Sequence, residues 1–358
     1  MFENQIVPKA SDKSSNVPGS GSAEIADSGG KVYLNAHEAI RDFDAESQQI
    51  AQTEKVESKV DSRVATFIAN ARVLMNHQDY NLALNLLRSA SNRNSKNPTT
   101  LRMLADCLDK VNRGAEAMIA RKALVTYDYG FESLFGYATA LYKVGEDQAA
   151  LDKYYEALSV LKEENESLFD LYKNMGNIFV KQGDFDAAEE YYNKAYTVNP
   201  QSDVLLVNFG TLEVQRNDFD KSLFCFRKAV EINPANDKAW VGLAMVHNQF
   251  GDSELAWANL ESALDINPQN RTATHLAANW GVRDSRLDKS IEFMQAYLAQ
   301  VESDEEMSLV LINLYCMSHQ IDNALLEMER VLLWNPDNAD VRDLRKKLSS
   351  SHKEAVCL

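Results

Sequence analysis

The chain has 358 residues, 45% of them hydrophobic, with a formal charge of −16 and a pI near 4.9. So acidic a chain repels nucleic acid and anionic lipid, because no large basic face remains to displace counterions from phosphate. No window approaches the roughly 18 apolar residues of a membrane span. The start, MFENQIVPKASDKSSNVPGSGS, has no basic stretch followed by an apolar run, so no secretory leader is expected.

Cys107, Cys225, Cys316 and Cys357 are far apart and form no Cys-x-x-Cys pair. Free thiols in a reducing compartment are expected, which reads as a cytoplasmic chain. Cys357 stands second from the end and does not fit a prenylation box.

In chain order, residues 1–43 are expected to be mostly disordered. Ser, Gly, Asn, Asp and Lys dominate up to about residue 30, with Pro8 and Pro18, and few large apolar groups offset the entropy of ordering. Val32, Tyr33, Leu34, Ile40 and Phe43 then form an isolated apolar island. It reads as a short motif that docks on a partner, folds back in cis, or caps the first repeat. Residues 44–63 are polar and helix-prone, and Ile50, Val56 and Val60 make the thin stripe of a weak connector helix.

Asn199-Pro200, Asn233-Pro234 and Asn267-Pro268 fall 34 residues apart, and Asn335-Pro336 follows at twice that interval. A fixed period of this size means a stack of similar helical units. In 169–202 a first helix carries Leu171, Met175, Gly176 and Phe179 on one face, Gly183-Asp184 breaks it, a second carries Ala188, Tyr192 and Ala195, and Pro200 closes the unit. Gly176, Ala188 and Ala195 stand where two helices must approach closely.

These residues resemble the tetratricopeptide repeat. Tyr172, Met175, Gly176, Phe179, Ala188, Tyr192, Ala195 and Pro200 carry its signature in one unit. Gly210, Phe226, Ala229 and Pro234 carry it in the next, and Trp240, Leu243, Ala244, Gly251, Ala256, Ala263 and Pro268 in the one after. Leu311, Tyr315, Ala324 and Pro336 mark the last. A degenerate unit spans 271–304, and three divergent ones lie upstream, marked by Ala83, Leu87 and Ala90, by Ala105 and Ala117, and by Ala150, Tyr154 and Ala157. The resemblance implies an all-α fold. The expectation is a right-handed superhelical solenoid of eight repeats over 64–338, a capping helix at 339–350 and a tail at 351–358. Asn97-Pro98 lies three periods before Asn199-Pro200, yet insertions between them make that match partly accidental.

No phosphate loop, metal-ligand spacing or serine elbow stands out. No catalytic residue, metal or cofactor is expected, and His247 reads as a core histidine. In the family resembled, the first helix of each pair lines a concave groove. That places Lys173, Asn174, Asn177, Asn208 and Lys238, then Asn279, Arg283 and Asn313, as peptide-contacting candidates. Lys173, Asn177, Asn208 and Lys238 are similar to four members of a clamp by which some relatives grip the carboxylate of an acidic chaperone tail through charge-assisted bonds. The fifth member, an arginine in that clamp, is Gly242 here. Asparagine amides at these places equally suit the backbone of an extended peptide. Phe135, Tyr142, Val204, Val207 and Val241 form a second, apolar set that either meets a ligand or packs helix to helix.

The expected function is a non-enzymatic adaptor that holds a peptide or helix of a partner in its groove. Its partners are proteins or peptide segments, the N-terminal segment in cis included. Neither nucleic acid nor a membrane is among them, and self-association is compatible with the pattern. The alternatives are a co-chaperone reading an acidic C-terminus, and an assembly or polarity factor of a bacterial motility, secretion or organelle complex. A repeat domain serving an enzyme, as in some glycosyltransferases, finds no catalytic stretch here.

Overall fold

The computed structural model describes residues 25–26, 32–33, 62–163 and 165–356. The chain divides into two units, Met1–Asn165 and Glu166–Leu358.

Among the described residues the first unit contains six helices: α1 (Ser62–Asn76), α2 (Tyr80–Arg93), α3 (Pro98–Lys110), α4 (Gly114–Tyr127), α5 (Phe131–Lys143) and α6 (Asp147–Val160). They pack as successive pairs, and each pair also rests on the next. Ala71, Leu74, Ala83, Leu87, Cys107 and Ala117 form a core across the first two pairs. Two short strands, β1 (Ile25–Ala26) and β2 (Val32–Tyr33), pair antiparallel, with Ile25 opposite Tyr33. That pairing falls inside a stretch read as mostly disordered. β-Branched and aromatic residues at three of its four positions favour a strand. Leu34, Ile40, Phe43 and the connector at 44–61 lie outside the described residues.

The second unit runs α7 (Ser167–Gln182), α8 (Phe185–Val198), α9 (Asp203–Gln215), α10 (Phe219–Ile232), α11 (Asp237–Gln249), α12 (Ser253–Ile266), α13 (Arg271–Arg283), α14 (Leu287–Leu298), α15 (Glu305–Met317) and α16 (Ile321–Trp334). A last helix, α17 (Ala339–Val356), covers the final pair with Val341, Leu344 and Leu348. Small residues set the close crossings within pairs. A Cβ at Gly176 would come within 2.4 Å of the Tyr192 ring.

The turn inside each pair carries one residue of positive φ. Gly145, Gly183 and Gly251 take it, but so do Gln78, Asn112, Asn217, Ser285 and His319, at φ of 58–65°. Only the glycine form of this turn is visible as a break in sequence. Aspartates follow three of these turns as caps: the carboxylates of Asp184, Asp218 and Asp252 each accept a backbone N–H three residues on, at 3.1 Å.

The Asn-Pro dipeptides do more than end a helix. Asn233 and Asn236 both donate side-chain N–H to Asp203 Oδ2, at 2.6 and 2.9 Å. Asn267 and Asn270 do the same to Asp237 at 2.7 and 2.8 Å, and Asn335 and Asn338 to Glu305 at 2.9 and 2.6 Å. Asn236, Asn270 and Asn338 then cap the next helix through their carbonyl oxygens. The motif Asn-Pro-x-Asn thus ties the first turn of one repeat to the first turn of the next. Asn97-Pro98 has a different place: Asn97 is the N-cap of α3 and Pro98 its first residue.

Burial works against the charge on Asp203, but the amides of Asn233 and Asn236 outweigh it and hold its carboxyl below the usual range. A lowered folded-state pKa stabilises the fold above the unfolded value of about 3.9 and loses that contribution as pH falls through the folded value. Asp203→Asn should therefore lower stability near pH 7 by about 1 kcal/mol and flatten the acid limb of a urea-midpoint profile. An acid limb as steep as that of the parent protein would count against this tie.

Candidate peptide groove

The first helices of two successive repeats in the second unit, α9 and α11, face one another across a hollow of about 470 Å³. That volume lies within the range of ligand pockets. Its apolar lining comes from Val207, Val214, Phe226, Val241 and Met245, and its polar lining from Asn208, Thr211, Asp237, Lys238, Asn267, Asn270 and Thr272. Phe226 becomes the floor because two glycines make way for it. Cβ atoms at Gly210 and Gly242 would lie 2.6 and 2.4 Å from its ring.

Of the candidates from sequence, Asn208 and Lys238 line this hollow. Lys238 is exposed and makes no ion pair with the described residues. Asp237 beside it is occupied instead by the two amides of Asn267 and Asn270. Asn177 sits behind Asn208: its Oδ1 accepts the Asn208 amide at 2.9 Å and the Tyr192 hydroxyl at 2.8 Å. Lys173 is engaged elsewhere. Its ammonium pairs with Asp170 one turn back and lies 5.1 Å from the centre of the Phe169 ring, and its side chain is 18% exposed. Asn174 is buried at 8% exposure.

Asn279, Arg283 and Asn313 are not part of the hollow. Asn279 bonds to His275 Nδ1 at 3.1 Å, and Arg283 forks onto Asp284 at 2.7 and 2.9 Å. Asn313 is exposed on α15. Of the second set, Val207 and Val241 line the hollow and Val204 is exposed. Phe135 stacks on Phe131 with ring centres 5.9 Å apart and tilts against Tyr154 at 6.2 Å, which is packing within the first unit. Tyr142 belongs to that unit too.

Phe226, Met245, Thr211 and Thr272 were not singled out as ligand-facing from sequence. Thr211, Met245 and Thr272 recur at groove-facing places of the repeat, so the period itself carried the signal. His247 is buried in α11, where burial first and Arg227 second push its imidazole below the ordinary range, with Asp252 opposing. Cys107, Cys225 and Cys316 are free, and burial pushes the Cys225 thiol up to about 11, which leaves it unreactive near neutrality. Among the described residues no helix is long and apolar enough to cross a membrane.

Residues 169–202 and 207–271 each match a tetratricopeptide repeat profile. The photosystem I assembly protein Ycf3 of Rippkaea orientalis is 44% identical over 57 residues, which is 16% of this chain and 32% of that protein. The chain thus spans about a third of the length of this curated relative. A tetratricopeptide repeat protein from Parabacteroides merdae is 18% identical with a TM-score of 0.59, over 70% of this chain and 98% of that one. PilW, a widely conserved type IV pilus biogenesis factor, is 15% identical with a TM-score of 0.53, over 60% and 99%. At such identities the likeness is one of fold. Stacked helix pairs, small residues at their crossings and the two matched stretches agree: the chain contains tetratricopeptide repeats and has the all-α fold of a tetratricopeptide repeat solenoid.

Proposed function

We propose that this protein is a non-enzymatic interaction scaffold that holds an extended peptide segment of a partner between α9 and α11. The observation that carries the reading is the hollow itself, which sets the amide of Asn208 and the exposed ammonium of Lys238 beside an apolar floor. An amide suits main-chain groups, a lysine suits a carboxylate, and Phe226 with Val207 and Val241 suits one apolar side chain. Lys173, Asn174, Asn279, Arg283 and Asn313 stay outside this proposal as direct contacts.

The acidic-tail reading draws support from Asn208 and Lys238. It loses support from Gly242 and from the engagement of Lys173 with Asp170. The assembly-factor reading draws support from the Ycf3 match, since that relative is a photosystem I assembly protein.

The test is peptide capture from a random heptapeptide pool by the full chain, followed by titration of Asn208→Ala, Lys238→Ala and the double variant. Loss of the charge-assisted bond in Lys238→Ala should cost roughly 1.5–3 kcal/mol of binding, and loss of the neutral one in Asn208→Ala roughly 0.5–1.5 kcal/mol. Unchanged affinity in the double variant would remove the site. Peptides with free and amidated C-termini separate the terminal-carboxylate reading from the backbone one. A chain lacking residues 1–43 adds a further arm, because occupation of the groove by Val32, Tyr33, Leu34, Ile40 and Phe43 in cis requires that peptides then bind more tightly.

A further inference from the structure

Resting on that reading of the groove, we infer that Tyr192 and Asn177 are positioning residues: they fix the amide of Asn208 so that its carbonyl oxygen is offered to a main-chain N–H of the bound segment. Asn177 Oδ1 takes two donors, the Tyr192 hydroxyl at 2.8 Å and the Asn208 side-chain N–H at 2.9 Å. An oxygen with two lone pairs is then saturated, and the Asn208 amide must turn its nitrogen toward Asn177. Its Oδ1 is left for the hollow that Asn208 lines.

The Tyr192 ring cannot wander. It is buried, meets the Phe209 ring edge-on at 5.2 Å, and fills the space over Gly176. Its hydroxyl is therefore a fixed point from which the relay is set.

The fold does not need that hydroxyl. The next repeat has Phe226 at the equivalent place, packed against Gly210 and Gly242, and forms the same helix pair without it. The one after has Leu260, fully buried there. Tyr154 of the first unit also carries a hydroxyl at this place and donates it to Thr139 Oγ1 at 3.2 Å; that of Tyr192 stands on a chain of two bonds that ends at a groove side chain, and so serves the groove. Asn177, read from sequence as a ligand contact, thus also holds Asn208.

The probe is the tightest binder selected on the full chain from an N-acetylated, C-amidated random heptapeptide pool, together with its single N-methyl derivatives. Tyr192→Phe should weaken that peptide roughly 3- to 10-fold, the loss of one hydrogen bond. Hydrogen-exchange protection of α7 and α8 in the variant should stay close to that of the parent, as the Phe226 repeat implies. N-methylation at one peptide bond should hurt binding to the parent protein, and the penalty should shrink in Tyr192→Phe and vanish in Asn208→Ala. Full affinity in Tyr192→Phe, with binding lost in Asn208→Ala, overturns this inference and leaves the groove standing. So does an affinity loss in Tyr192→Phe that leaves the N-methyl penalty unchanged. No loss in Asn208→Ala overturns both.

Discussion

Trp257→Ala should destabilise the second unit by about 3–5 kcal/mol, the range for deleting a buried large aromatic side chain. The indole is 1% exposed, and its neighbours cannot readily close over a gap. The Trp280 ring meets it edge-on at 6.4 Å, and the Arg286 guanidinium lies 5.2 Å from its centre. Its Nε1 also donates to Asp284 Oδ2 at 2.9 Å, beside Ser253 Oγ at 3.0 Å. The Arg283 guanidinium first, against burial, and then Trp257 and Ser253 hold the Asp284 carboxyl well below its usual range. Truncation therefore leaves a cavity and strips one donor from a half-buried carboxylate. Trp257→Phe keeps most of the ring contact and loses the N–H, so it should cost about 1–2 kcal/mol. Repeat stacks can open in parts, so a single melting temperature is a poor readout. Hydrogen exchange resolves the question: protection should fall most in α12, α13 and α14 and least in α7. A loss under about 1 kcal/mol, or one spread evenly over the unit, would contradict the packing described.

The fold was legible because its determinants are local and periodic. Gly176, Gly210, Ala188 and Ala195 recur where helices cross, and Pro200, Pro234 and Pro268 recur where they end. The contacts that join repeat to repeat were less visible. Asp203 and Asn233 stand 30 residues apart, and nothing in either residue announces that one amide will reach the other's carboxylate. The site was half legible for a related reason. Asn208 and Lys238 were found because groove positions recur with the repeat. Lys173 and Arg283 lie outside the hollow, each beside a counter-ion: Asp170 lies one turn from Lys173, and Asp284 directly follows Arg283. Asp237, the neighbour of Lys238, instead accepts the amides of Asn267 and Asn270, a contact that needs the fold to be seen. Phe226 was read from sequence as a residue of the repeat signature. That it is also the floor of the hollow depends on two glycines from different helices.

Gly242→Arg tests the clamp from the opposite direction, by supplying the side chain that the resemblance lacks. If the groove were an acidic-tail clamp short of one donor, the arginine should tighten binding of peptides with a free C-terminus. The geometry predicts loss instead. A Cβ at residue 242 would lie 2.4–2.5 Å from three atoms of the Phe226 ring, and the ring also packs tightly on the Gly210 backbone, where an added Cβ would lie 2.6 Å from it. Overpacking of this kind costs about 1–3 kcal/mol, and a long charged side chain forced over an aromatic floor should sit at the upper end. The hollow would also lose volume where an apolar side chain is expected to rest. Gly242→Arg should thus lower the urea midpoint and weaken peptide binding together, while Gly242→Ala lowers stability by a smaller amount. Phe226→Leu in the Gly242→Arg background separates steric conflict from chemistry, because a smaller floor gives the arginine room. Recovery of stability without a gain for free-carboxylate peptides would leave the backbone-reading groove as the surviving account. A gain specific to free C-termini in that double variant would instead mean that Gly242 alone keeps this chain from being a carboxylate clamp.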